Sequence, residues 1–411
     1  MNILIVSQYF WPEYFIINEL ALKLQEQGHK VTVYTGKPNY PDGDIYPGYQ
    51  YQGVDKDNYK GISIYRVPLR PRKNGGYKNL ILNYLSFVFF GVKYTFSFIK
   101  RHKSFDMIFM FGLSPITAAI PAIFLKWQLK SHLTIWVQDL WPESVRAAGY
   151  SLNKTVYSAL RFLVKSIYFF ADTLLVQSEA FIPIISTLTR KDKIFYYPNS
   201  VVDYYPQSEK AALPPELHHL LSSYFCIVFA GNIGTAQAIE TILAAAEYLK
   251  DNNMIRIVLV GSGSQLNWAH DFLMEKKMTN VVLAGRYPIE LMPAIFSLAS
   301  ALLVTLKKNE IFTHTIPSKI QAYLASAKPI IASLDGEGAR IIKEAKAGMV
   351  SAAENAEELA NNIKFIYDLP FFEREKMGNA GRAYFLKHYE MDTQCLRLIE
   401  LFEKRLKETH V

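Results

Sequence analysis

The sequence predicts an α/β protein made of two doubly wound, Rossmann-like units. Three observations carry this reading. The chain has 411 residues, more than a single hydrophobic core accommodates. Short β-branched runs alternate with longer stretches of helical period, the pattern of a mostly parallel sheet with helices on both faces. One break rich in proline and polar residues, DYYPQSEKAALPPELHHL at 203–220, divides that alternation in two.

Taken in order, NILIVS opens the chain as a strand and a helix follows through NELALKLQEQG. KVTVYTG, ISIYRVP, MIFMFG, LTIWV and TLLVQS are the next strands. Beyond the break come FCIVFAG, IRIVLVG, VVLAG, ALLVTL and PIIAS, again with helices between them. The units are expected at 1–204 and 205–390, with a linker near residue 205. TQCLRLIELFEKRLK, within 391–411, is an amphipathic helix that fits on either unit.

Half of the residues are apolar and a fifth charged, which excludes global disorder. Two cysteines, Cys226 and Cys395, give neither a disulfide framework nor a metal-ligand spacing. No export signal is visible, so a cytoplasmic protein is expected. The net charge of +8 is uneven: residues 1–200 carry 23 Lys/Arg against 13 Asp/Glu, and residues 201–411 carry 22 against 24. No acidic residue occurs between Asp57 and Asp106, where ten Lys/Arg lie from Lys60 to Lys103. That patch should attract an anionic surface or substrate.

Residues 79–99, NLILNYLSFVFFGVKYTFSFI, approach the length of a membrane span, but Asn83, Gly91 and Lys93 interrupt them. Basic residues flank both ends. The expectation is helices that dip an apolar face into an anionic membrane surface through residues 66–103, with buried core helices as the competing reading and a true span as the third.

In open α/β sheets the ligand crevice lies beyond the carboxyl ends of the strands. Two near-identical segments stand there, QYFWPE at 8–13 and QDLWPE at 138–143. Each Trp-Pro-Glu reads as the start of a helix, with proline in its first turn and glutamate at its positive end. Tyr9, Trp11, Glu13 and Glu143 stand at these rims, and Asp139, between an apolar strand and a tryptophan, is the candidate catalytic carboxylate.

The second unit supplies glycine turns at strand ends: Gly231 and Gly234 in FAGNIG, Gly261 and Gly263 in VLVGSG. Glycine lets backbone N–H groups approach a phosphate, although neither turn has the full dinucleotide spacing and each also reads as a plain tight turn. In TIPSKIQAYLASAKPIIAS, Pro317 pre-sets a helix start at which Ser318 and Lys319 suit a pyrophosphate, and Gln321 is placed to reach ribose hydroxyls. Lysine there opposes the helix dipole, which favours a functional reason for it. Asp42-Gly43-Asp44 and Asp55-Lys56-Asp57 match an acidic cation pair without crevice geometry, and no metal or cofactor is expected.

Together these pieces resemble the GT-B glycosyltransferases of family 4, retaining enzymes with two Rossmann-like domains facing across a cleft. The resemblance spans QYFWPE, GHKVTVYTGKPNYPDGDIYPGY, DLWPES, LLVQSE, YPNSVVD, FAGNIG, VLVGSG and TIPSKIQAYLASAKPII. Within the family the chain is most similar to the bacterial branch that includes N-acetylfucosamine transferases of O-antigen and capsule assembly. The resemblance implies an acceptor-binding first domain, with Tyr9, Trp11, Glu13 and Glu143 as candidate acceptor-facing residues, a nucleotide-sugar-binding second domain and a last helix that returns to the first. It also implies a polyprenyl-diphosphate-linked acceptor at the cytoplasmic face of the inner membrane, and no nucleic acid.

The family's phosphate-binding Arg and Lys fall on Asn232 and Gln237, and its Glu-x7-Glu carboxylates on Thr313 and Gln321, so all four charges are missing. The resemblance shifts donor binding onto helix-terminal N–H groups, Lys319 and Arg286, and pairs the loop at Arg286 and Tyr287 with the nucleobase. Asp139 aligns beside the position where relatives carry a histidine over the sugar. Two other readings fit the same fold: a nucleotide-sugar 2-epimerase, and a membrane-associated binding protein without activity.

Overall fold

Runs that are apolar on both sides become interior parallel strands in the computed structural model of the protein. The structure describes residues 1–73, 76–102, 104–147, 153–204 and 212–409. It divides into two units, Met1–Asn199 with Met391–Val411, and Ser200–Glu390. The division falls before the expected 204/205 boundary because Val201 already belongs to the second unit, where its N–H donates to Tyr389 O at 3.0 Å. The expected linker at residue 205 lies outside the described residues.

The first unit holds eight strands: β1 (Asn2–Ser7), β2 (Lys30–Gly36), β3 (Asp55–Tyr59), β4 (Ile62–Val67), β5 (Met107–Gly112), β6 (His132–Val137), β7 (Thr173–Val176) and β8 (Ile194–Tyr196). Their order is β3-β4-β2-β1-β5-β6-β7-β8, parallel except for β3 against β4. Its helices are α1 (Ile16–Glu26), α2 (Tyr77–Lys93), α3 (Thr95–Ile99), α4 (Ala119–Leu129), α5 (Glu143–Ala147), α6 (Lys154–Phe170), α7 (Phe181–Ile185) and, from the end of the chain, α17 (Met391–Thr409). Alternate residues of β1 serve opposite faces: Leu4 and Val6 join the core that contains Phe87, Ile123 and Val164 from α2, α4 and α6. On the other face α1 packs against α17, and Phe402 meets Phe109 edge-on at 5.4 Å. Arg405 adds bonds from Nε to Thr173 Oγ1 (3.0 Å) and from Nη2 to Asp172 O (3.1 Å), which tie α17 to β7.

Each interruption of the apolar run at 79–99 has a structural cause. Asn83 is fully buried and faces the polar end of the sheet. Gly91 lies where a Cβ would come within 2.6 Å of Pro121 Cγ, so glycine is what lets α4 approach α2. Lys93 faces solvent.

The second unit holds β9 (Phe225–Asn232), β10 (Ile255–Ser262), β11 (Val281–Gly285), β12 (Ala301–Thr305), β13 (Ile330–Ser333) and β14 (Gly348–Ser351), all parallel in the order β11-β10-β9-β12-β13-β14. Counted from β9, that is the 3-2-1-4-5-6 order of the dinucleotide-binding folds, with its switch point between β9 and β12. Helices α8 (Pro215–Ser223), α11 (Met292–Leu298), α13 (Ser318–Ala325), α14 (Glu337–Glu344) and α16 (Phe371–His388) cover one face. On the other lie α9 (Ile239–Glu247), α10 (Leu266–Glu275) and α15 (Ala356–Asp368), while α12 (Glu310–His314) follows β12.

Candidate functional site

In the second unit the switch point is visibly open. β9 and β12 pair only at Ile227 and Val228, after which the strands part. The N–H of Ala230 would be left without a strand partner, and the Tyr323 hydroxyl of α13 accepts it at 2.9 Å. The same helix sends Lys319 over β9: its Nζ sits 3.7 Å from the centroid of Phe229 and 3.3 Å from where a Cβ on Gly231 would stand. That ammonium is buried and makes no hydrogen bond among the described residues. Burial pushes its pKa down to about 7. An unpaired buried cation is costly, and an anion seated at the strand ends would relieve it.

The glycines at these strand ends are required by the close approach of two backbones. Gly231 and Gly261 have φ of +139° and +147° and lie opposite one another in the β9–β10 register. A Cβ on Gly261 would stand 1.8 Å from Gly231 O, and one on Gly263 would stand 2.3 Å from Ile233 O. Gly261→Ala is therefore expected to distort both strand ends and lower stability by about 3 kcal/mol, read as a shifted urea midpoint. Retention of the wild-type midpoint would show that the turn is more yielding than its geometry indicates.

Around this turn the structure gathers Gly231, Asn232, Gly234, Gln237, Gly261 and Lys319. Asn232 is exposed, and its amide encloses Gly234 and Gly263, at 2.6 Å from the Cβ position of each. Gln237 is half-buried, and its Oε1 has no partner among the described residues. Ser318 is exposed at the start of α13; Arg286 is exposed and Tyr287 half-buried just past the end of β11. Gln321 corrects the sequence reading. It is fully buried, and its Nε2 donates back to Pro317 O (3.0 Å) and Ser318 O (2.8 Å), so it props its own helix start and does not reach out to a ribose.

In the first unit the two Trp-Pro-Glu segments share a cis Trp–Pro bond but part company after it. Glu143 begins α5 and accepts from Tyr157 Oη at 2.9 Å. Glu13 starts no helix; α1 begins only at Ile16. Its side chain is turned inward, with Oε1 accepting from the N–H groups of Asn39 and Tyr40 (2.8 Å each) and Oε2 from that of Phe10 (3.2 Å). Burial raises its pKa to about 7 against the pull of those three donors. It is thus not an acceptor-facing group, because both oxygens are spent on shaping the loop after β2. Tyr9 is 4% exposed and stacks on Phe15 at 5.6 Å. Trp11 stacks on Tyr59 at 5.1 Å.

Asp139 is half-buried just past β6. Its Oδ2 accepts from Ser114 N (3.0 Å) and Ser114 Oγ (2.7 Å), and Ser114 Oγ in turn accepts from Trp141 Nε1 (2.9 Å). Trp141 thereby fixes the serine that fixes the carboxylate. Gln138, 6% exposed, has an Nε2 without a partner among the described residues.

The sequence reading missed an amide cluster beyond β1 and β2. Gln8 Nε2 donates to Asn83 Oδ1 at 2.7 Å, and Asn83 Nδ2 donates to Arg70 O (2.6 Å) and Asn39 Oδ1 (3.3 Å). All three residues are buried, and Gln8 Oε1 has no partner among the described residues. Its signal was Asn83, set between apolar turns of α2. Of the two acidic pairs, Asp55-Lys56-Asp57 is engaged: Asp55 pairs with buried Lys37, and Asp57 Oδ2 takes Arg66 Nη2 at 3.0 Å. Arg66, counted with the basic surface from the sequence, is fully buried and belongs to this loop scaffold instead. Among the described residues no group of three or more His, Cys, Asp or Glu side chains is placed to hold a metal.

Comparison with known proteins adds independent findings. Residues 16–199 match the family model for a glycosyl transferase 4-like domain, and residues 225–368 match that for glycosyl transferases group 1. The probable glycosyltransferase WbjE of Pseudomonas aeruginosa is 25% identical over 328 residues, 78% of this chain and 79% of that protein. The putative colanic acid biosynthesis glycosyl transferase WcaI of Escherichia coli K12 is 23% identical over 342 residues, 79% and 81% of the two chains. Among solved structures, Anabaena HepE in complex with UDP aligns with a TM-score of 0.71 over 98% of this chain and 100% of its own, at 12% identity.

Proposed function

Since the chain belongs to the GT-B glycosyltransferases of family 4, we propose that it moves a sugar, with retention, from a UDP-linked donor to a polyprenyl-diphosphate-linked saccharide in bacterial surface polysaccharide (O-antigen or capsule) synthesis. The observation that carries this reading is the buried ammonium of Lys319, which rests on the Phe229 ring without a hydrogen-bond partner among the described residues, beside the Gly231 and Gly261 turns. A diphosphate is the anion that this combination of cation, glycine turn and helix start fits. The UDP held by HepE supports the nucleotide. The colanic acid role named for WcaI supports the pathway class, and N-acetylfucosamine or a related N-acetylated sugar is the proposed group.

The acceptor hydroxyl attacks the anomeric carbon on the side of the departing nucleoside diphosphate. The bond from that carbon to the diphosphate oxygen breaks, the bond to the acceptor oxygen forms, and the released phosphate oxygen takes the hydroxyl proton. Lys319 and the turn N–H groups of the second unit offset the charge that grows on the leaving group, without a metal. Asp139, held by Ser114 and Trp141, is the polar group proposed over the reacting sugar.

The segment 78–99 is long and apolar enough to cross a membrane, yet only 22% of its most apolar window is buried. Its exposed residues Lys78, Leu82, Leu85, Phe89, Lys93, Phe96 and Lys100 recur every three or four positions and form one stripe with lysines at both ends. That arrangement supports the reading of a helix lying in the interface of an anionic membrane, and the cytoplasmic face is the one proposed.

A thermal-shift screen over a panel of nucleotide sugars tests the donor assignment, because a ligand of the folded state raises the melting temperature. A shift with UDP-sugars is expected. An epimerised sugar nucleotide formed from donor alone would replace transfer by the epimerase reading.

A further inference from the structure

Helix α6 carries to solvent a second stripe of the kind seen on α2. Phe162 is 73% exposed and Phe169 70%, two turns apart and so on one face of the helix. Lys154, Arg161 and Lys165 are exposed beside them, and α6 contains no acidic residue. Burial of Val164, Ile167 and Tyr168 in the core fixes which side of α6 faces out. Both α2 and α6 pack against α4, whose own outer surface shows Trp127 at 50% exposure. The three helices therefore form one layer with apolar side chains on its outside.

Charge identifies what this layer meets. Residues 58–171 contain sixteen Lys/Arg, of which Arg66 is buried against Asp57 and Lys126 pairs with Asp172, and three acidic residues, Asp106, Asp139 and Glu143. All three acids are engaged elsewhere: Asp106 Oδ2 accepts from Asn2 N at 2.6 Å, Asp139 is held by Ser114, and Glu143 accepts from Tyr157. A two-fold contact with a second copy would set this cationic face against itself. An anionic bilayer answers both the charge and the exposed aromatics.

We infer that α2, α4 and α6 form a single flat docking face for an anionic membrane, with α6 as a second insertion element that buries Phe162 and Phe169 at the acyl boundary. This rests on the membrane reading given above and extends it from one helix to the whole layer. Its consequence is orientation: contact through both helices fixes the first unit on the bilayer, whereas α2 alone would leave it free to rock about one axis.

Flotation of the full-length protein with phosphatidylcholine vesicles, with and without phosphatidylglycerol, tests it. Wild type is expected to float with the anionic vesicles at low salt and less at high salt. Phe162→Glu/Phe169→Glu should lower binding at least about tenfold, and Lys165→Glu about fivefold, with the melting temperature and the thermal shift given by UDP unchanged. If the double α6 variant floats like wild type while Leu85→Glu/Phe89→Glu does not, lipid touches α2 alone and the inference fails, although the membrane reading survives. If wild type does not float at all, both fall. If the double variant instead halves the sedimenting mass, the face joins two copies and the inference is overturned.

Discussion

Lys319→Met is expected to weaken nucleotide-sugar binding about 100-fold and to lower kcat by about 100-fold or more. The first effect follows from losing a charge-assisted contact to the donor diphosphate, the second from losing stabilisation of the leaving group. The same substitution should raise the stability of the ligand-free protein, because it removes an ammonium that is buried without a hydrogen bond among the described residues. The pH dependence gives the sign. Burial lowers the lysine from 10.5 to about 7 in the folded state, so between those values the unfolded chain binds more protons and stability rises with pH. Below about pH 7 the destabilisation is present in full. The Met variant should lose that contribution to the slope of the melting temperature between pH 7 and 10. On the proposed role the donor diphosphate meets the protonated amine, so wild-type affinity should fall as pH rises above about 7, with proton uptake measurable by calorimetry in buffers of different ionisation enthalpy. A variant that binds UDP-sugars as wild type does would remove Lys319 from the site.

Asp139→Asn is expected to reduce kcat by about 100-fold while leaving the donor Kd within a factor of about two, because the change removes a charge at the reacting sugar and keeps the shape. The asparagine can still accept from Ser114 through its oxygen, so the loop should hold. Ser114→Ala provides the contrast. It leaves the carboxylate but removes the hydroxyl that orients it (2.7 Å) and that also accepts from Trp141 (2.9 Å), so a smaller loss, about tenfold, is expected. Equal rates for wild type and Asp139→Asn would move the reacting-sugar role to another group, with the neighbouring Gln138, whose Nε2 has no partner among the described residues, as the next to test.

Much of the fold was legible because the strands are apolar on both sides and end in glycine or polar residues. The strands that escaped notice are those with weak local signals. DKDNY forms β3 as a polar antiparallel edge, and it is held by Lys37 and Arg66 more than by apolar burial. β8 and β14 have three and four residues, too few to show a period.

The twin hexapeptides mark the same boundary between what is local and what is not. Strand, crevice and the start of α5 could be read from QDLWPE, as could the glycine turns and the lysine at the start of α13. These follow from nearest-neighbour sterics and helix-end electrostatics, which depend on residues a few positions apart. The inward turn of Glu13 depends on Asn39 and Tyr40, the amide cluster joins Gln8 to Asn83, and Tyr323 satisfies Ala230. Two doubly wound units, their glycine-rich strand ends and the acid-free basic segment are written in short stretches of residues. Which polar side chains hold loops and which are left without hydrogen bonds at the strand ends depends on folding, because it rests on partners brought together from far along the chain.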